Sequence, residues 1–132
     1  MVNEIKEIKS LIIQANKTTV IADLIDINMR ITGLMVYFIE SEGKLLKEKL
    51  SAYNERKMAQ ARLCIESDDG ITKAEKSAIL KTKDLQDKEL QTEVEYQAAR
   101  SFRMQVSEFC QALVQKIANL RSEQSQTKYQ HG

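Results

Sequence analysis

The chain is predicted to be all-α: N-terminal helices followed by a long antiparallel helical hairpin, packed as a coiled-coil-like bundle. Three observations carry this. Small and apolar residues recur at intervals of seven through the C-terminal third (Ala78, Leu85, Thr92, Ala99, Val106, Leu113, Leu120), with Tyr96, Cys110 and Ile117 interleaved four residues beyond their rungs. That spacing is the 3.5-residue repeat of a helical seam. Second, there is no proline among the 132 residues, so no ring interrupts a helix. Third, Ser67-Asp68-Asp69-Gly70 supplies turn residues directly before Thr72-Lys73-Ala74-Glu75, which reads as a capping box.

The elements follow in order. Ile5, Ile8, Leu11, Ile12 and Ala15 form one stripe of a short amphipathic helix over 3–16. Asn16-Lys17-Thr18-Thr19 supplies a break or a new cap. Val20, Leu24, Ile27, Ile31, Leu34 and Phe38 then step by four and three, a second heptad-like seam. The β-branched residues within 31–39 keep a strand there as an alternative. Asp23, Asp26, Asn28 and Arg30 interrupt the apolar run, which falls short of the roughly 20 residues a membrane span needs. Gly43 reads as a C-terminal stop or a weak turn. A further helix over 44–66 places Leu46, Leu50, Tyr53, Ala61 and Cys64 on one face.

A short connection at 68–70 makes antiparallel neighbours. From Thr72 the pattern runs to about Arg121 without a stop signal, first polar and then apolar, and Ser122–Gly132 reads as a frayed, flexible tail. The chain thus divides into 1–42 (packing and oligomerisation), 43–121 (the hairpin) and 122–132 (the tail). The seam residues that pack together or against a second copy are Leu24, Ile27, Ile31, Leu34 and Phe38 with Ala99, Val106, Leu113, Ile117 and Leu120. Ala78 and Leu85, standing among charges, are assigned to an exposed arm whose tip at Asp68, Asp69 and Gly70 is the predicted partner-binding point.

Aromatic residues make up 5% of the chain and tryptophan is absent, so the core is aliphatic and thin, and a small thin-cored chain favours a homo-oligomer. The net charge is +1, which argues against nucleic acid or membrane as the default partner. The signs alternate along the chain: −2 over 1–42, +3 over 43–67, −3 over 68–95 and +3 over 96–132. That alternation suits antiparallel neighbours and complementary subunits.

Little here suggests catalysis. His131 is the only histidine and stands one residue from the end, without a positioning shell. Cys64 and Cys110 lack metal-ligand spacing and read as apolar thiols in a reducing compartment, since no signal-peptide pattern opens the chain. Asp68-Asp69-Gly70 lacks the oxygen ligands of a calcium loop. The expectation is a cytoplasmic non-enzyme without metal or cofactor. Lys49, Tyr53, Arg56 and Lys57 are the candidate nucleic-acid contacts, with cations for phosphates and a ring for stacking. A solvated face paired with the acidic 84–95 segment across the hairpin is the favoured account of the same residues.

Two blocks, Tyr53-Asn54-Glu55-Arg56-Lys57-Met58-Ala59-Gln60-Ala61-Arg62-Leu63 and Asp69-Gly70-Ile71-Thr72-Lys73-Ala74-Glu75-Lys76, precede the ending Ile117-Ala118-Asn119-Leu120-Arg121. Over residues 50–121 this pattern resembles small all-helical proteins of the early, recombination region of tailed bacteriophages. The resemblance implies a phage-encoded interaction protein in the host bacterial cytoplasm, accessory to recombination or replication or inhibiting a host defence protein. A single-stranded nucleic-acid-binding accessory protein using the 44–62 face is the first alternative, and a structural subunit of a virion or lysis apparatus the second. No catalytic residue comes with the resemblance.

Overall fold

A computed structural model describes residues 2–131, and the side chains of 2–127. Four helices account for nearly all of it: α1 (Val2–Lys17), α2 (Ile21–Glu66), α3 (Ile71–Lys81) and α4 (Lys83–His131). No strand occurs among the described residues, so 31–39 is helical. Two compact units divide the chain, one formed by Met1–Ser41 with Ser101–Gly132 and the other by Glu42–Arg100. Helices α2 and α4 contribute to both.

The first unit is a three-helix bundle. α1 brings Ile8, Leu11 and Ala15, α2 brings Leu24, Ile27 and Ile31, and α4 brings Val106, Leu113 and Ile117 to one cluster, with Leu34 and Leu120 packed at its margin. Each helix presents one stripe at helical spacing. The rings of Phe38 and Phe102 meet at 5.1 Å between centroids, tilted by 52°. At the far end of this unit the Lys116 ammonium donates to the carbonyls of Ala15 and Thr18, both at 3.1 Å. These carbonyls belong to the end of α1, where orphaned acceptors and the negative end of the helix dipole both favour a cation. The two contacts, 38 with 102 and 15–18 with 116, fix α4 antiparallel to α2 within the unit.

The second unit is a helical hairpin. α2 ends at Glu66, residues 67–70 turn, and α3 and α4 return. Its buried apolar residues are small: Ala52, Ala74, Ala78 and Ala99.

The structure departs from the sequence reading in six places. Gly43 does not stop α2, which runs through it for 46 residues in all. An interior glycine costs only about 1 kcal/mol relative to alanine, too little to end a helix packed on either side of it. The capping box does not form: the N-cap is Gly70, in extended backbone at φ −61° and ψ 157° without a side-chain cap. Thr72 therefore lies inside the helix. The helix expected from Thr72 onward is interrupted for one residue at Thr82. Over 44–66 the inward stripe is Leu45, Lys49, Ala52, Arg56 and Leu63, one residue away from the expected stripe, so Leu46, Leu50 and Tyr53 face solvent. Ala78 is buried, contrary to its assignment to an exposed arm. Finally, α4 continues through the expected tail to His131, its side chains over 121–127 exposed. No proline or glycine ends it earlier; the His131 side chain lies outside the described residues.

Leu24→Ala should destabilise the protein by about 2–5 kcal/mol, the range for emptying a buried leucine site. Lys116→Met, which keeps the stem and removes the donor, should cost about 1–3 kcal/mol. Urea denaturation followed by circular dichroism measures both; a Lys116→Met midpoint equal to the wild type would show that the α1 terminus does not need this cap.

Candidate functional site: the hairpin tip and its polar layer

The tip is a turn stabilised by its own side chains. The Ser67 hydroxyl accepts from the Asp69 amide at 3.2 Å, and the Ser67 amide donates to the Cys64 carbonyl at 3.4 Å. The Gly70 carbonyl accepts the first bond of α3 from the Ala74 amide at 2.9 Å. Asp69 pairs with Lys73 one turn into the helix, at 3.7 Å and largely in water. Asp68, Asp69 and Gly70 are all exposed. Flanking them are Ile65 and Ile71, which are 84% and 80% exposed. Ile79 and Leu80, near the end of α3, also face solvent. α3 therefore buries its two alanines and presents its three large aliphatic side chains outward, the reverse of an ordinary amphipathic helix.

Behind the tip, the interior of the hairpin is polar. The guanidinium of Arg56 on α2 forms a forked ion pair with Glu89 on α4, through Nε to Oε2 and Nη2 to Oε1. This carboxylate stabilises the charged form and pushes the Arg56 pKa up. Nη1 of Arg56 donates to the Gln60 carbonyl oxygen at 3.0 Å, and the Gln60 amide donates to the Thr82 hydroxyl at 2.9 Å. Thr82, 3% exposed, donates in turn to the Ala78 carbonyl at 2.7 Å. Four side chains thus form one chain of hydrogen bonds from Glu89 to the backbone of α3. Linked bonds of this kind leave no inward polar group without a partner, which is the condition for tolerating them in a core. A second ion pair, Glu55 with Lys88 at 3.0 Å, lies outside this layer and is half exposed.

The sequence reading missed Thr82, Glu89 and Gln60. The signal existed: Thr82 and Glu89 occupy the same interleaved positions, four beyond Ala78 and Leu85, as Tyr96, Cys110 and Ile117 do further along. Polar residue types concealed them.

The four candidate nucleic-acid contacts are all engaged within the hairpin. Lys49 places its ammonium 5.1 Å from the centre of the Tyr96 ring. Arg56 and Lys57 lie 5.3 and 5.0 Å from the Tyr53 ring, in addition to the Arg56–Glu89 pair. Cation–π contacts hold these groups against rings that a base would need. Of the seam residues, Leu24, Ile27, Ile31, Val106, Leu113 and Ile117 meet in the first unit's cluster, Phe38 meets Phe102, and Ala99 is buried in the second unit.

A cleft of about 430 Å³ runs beside the polar layer, lined by Arg56, Gln60, Ile79, Gln86, Glu89, Leu90 and Glu93. Its one cation and one of its two carboxylates already neutralise each other. Among the described residues no three or more His, Cys, Asp or Glu side chains are grouped to hold a metal ion. What the arrangement does chemically is fix register: an inward polar pair matches only when Arg56 faces Glu89 and Gln60 faces Thr82. No helix of the described residues is long and apolar enough to cross a membrane.

A double-mutant cycle on Arg56 and Glu89 should give a coupling of about 1–2 kcal/mol, as for a forked pair with little solvent around it. The same cycle on Glu55 and Lys88 should give under about 0.5 kcal/mol and vanish in high salt. Both cysteines are free. Burial pushes the Cys110 thiol up, so at a given pH less of it is thiolate and alkylation is slowed. Iodoacetamide labelling of Cys110 at pH 8 should lag behind a free thiol and accelerate as the pH is raised; full reactivity at pH 8 would show that the site opens.

Compared with known proteins, the chain matches no family model, no curated protein and no solved structure.

Proposed function

We propose that the protein is a non-enzymatic interaction module that engages a protein partner through the tip of its hairpin. The observation that carries this reading is the pair Ile65 and Ile71, both at least four-fifths exposed, flanking the acidic turn Asp68-Asp69. Large aliphatic side chains presented beside a charged turn at the end of two helices make a small apolar contact with a polar rim. The partner fitted to it has an apolar notch bordered by basic groups. Within this class the phage resemblance over 50–121 favours an accessory of recombination or replication in the host cytoplasm, with inhibition of a host defence protein as the second role. Self-association through the remaining exposed aliphatics is part of the same proposal.

Affinity capture from bacterial lysate tests it. The wild-type chain should retain a protein that Ile65→Asp with Ile71→Asp loses, while the helical circular dichroism of the double variant stays unchanged. Equal capture by both chains would exclude the tip. Binding to single-stranded oligonucleotides that weakens steeply with salt and disappears on Lys49→Ala with Lys57→Ala would instead establish the nucleic-acid alternative.

A further inference from the structure

Between Ile71 and His131 there is no proline or glycine, yet the helix is broken at Thr82, whose φ of −106° and ψ of 21° lie outside the helical region. Thr82 keeps a helical bond on each side: its amide donates to the Ala78 carbonyl at 3.1 Å, and its carbonyl accepts from the Gln86 amide at 3.0 Å. In a continuous helix the amides of Lys83, Asp84 and Leu85 would bond to the carbonyls of Ile79, Leu80 and Lys81, across the residue where the helix is interrupted. Side chains occupy acceptors at the break. The Gln86 amide donates to the Ile79 carbonyl at 2.7 Å and to the Thr82 hydroxyl at 3.3 Å, while Gln60 holds the same hydroxyl from α2.

The break falls where the buried stripe changes its spacing. Counting back from Ala99, the inward positions are Tyr96, Thr92, Glu89, Leu85, Thr82 and Ala78, alternating three and four. Continued regularly, the alternation reaches Glu75 and Ile71. The hairpin takes Ala74 instead, so two steps of four stand in succession at 74, 78 and 82. Such a stutter rotates the stripe about the helix and locally unwinds the supercoil. Ile71 is left outside, in solvent.

We propose that Thr82 is a hinge with two states. The bent state is the one described, held by the side-chain amides of Gln60 and Gln86. In the straight state the backbone bonding across Thr82 is helical throughout, residues 71–131 make one helix, and Glu75 and Ile71 replace Ala74 on the inward stripe. The hinge thereby sets whether Ile71 is presented to solvent at the tip. Its existence stands on the geometry of the break alone, whereas its use in presenting the tip rests on the interaction reading above.

Amide hydrogen exchange followed residue by residue by NMR separates the two claims, because it needs no partner. In the wild type the amides of Lys83, Asp84 and Leu85 should exchange at least about 100-fold faster than those of Glu95–Ala98, the difference expected between unpaired and helix-bonded amides. Gln86→Ala and, separately, Gln60→Leu should slow exchange at 83–85 by about tenfold or more through release of the bent state. The Glu95–Ala98 amides report that each variant is folded; if Gln60→Leu loses their protection, the half-exposed Gln86→Ala decides alone. Wild-type protection at 83–85 equal to that of their neighbours, or protection unchanged by Gln86→Ala, would overturn the hinge.

Discussion

The aliphatic cluster built by α1, α2 and α4 is the constraint on which the rest of the structure depends. The largest fully buried side chains, Phe38, Ile8, Leu11, Leu24, Ile31 and Val106, all belong to that unit. Each is worth about 1.5–3 kcal/mol of burial, and two helices alone would leave one side of such a cluster in water. α1 supplies the third wall, and Lys116 ties its last turn to α4 through the Ala15 and Thr18 carbonyls. Because α2 and α4 are continuous helices, ordering them here also orders the residues that go on to form the hairpin. Helix propagation is far cheaper than nucleation.

The second unit works on a different principle. Its fully buried apolar residues are alanines, which contribute little burial but leave the backbones free to approach closely. Leu45, Leu63 and Leu85 are inward but only partly buried, and the polar inward residues between them are matched pair by pair: Arg56 with Glu89, Gln60 with Thr82, Lys49 against the Tyr96 ring. Such a layer adds modest net stability and a large penalty for mismatch, since a slip would leave a charge or an amide unpartnered. The hairpin is therefore specified more by complementarity than by hydrophobic area. That leaves other large aliphatic residues free to face outward, and this inversion at Ile65, Ile71, Ile79 and Leu80 exposes the apolar surface on which the proposed partner contact rests.

Helix content, the turn at 67–70 and the faces of α1 and of the first half of α2 were legible in the residues alone. In each, one stripe of large apolar residues stands out against polar ones, and the turn residues have no competing use. The 44–66 stretch shows the limit. Leu46, Leu50 and Tyr53 make a better apolar stripe than Leu45, Lys49, Ala52 and Arg56, yet the latter faces inward. Local hydrophobicity ranks stripes; it does not know that Glu89 and Tyr96 wait opposite.

The amino-acid sequence by itself determined that this chain is helical, where it reverses, and which aliphatic seam forms its main core, because these follow from short-range spacing and from the absence of proline. Only the tertiary structure decided that Gly43 would be passed through, that Gly70 rather than Thr72 would cap α3, and that the return helix would break at Thr82. Each of these is a choice between local alternatives separated by about 1 kcal/mol. Gaps that small are settled by whatever packs against them: for Thr82, the Gln60 amide reaching across from α2.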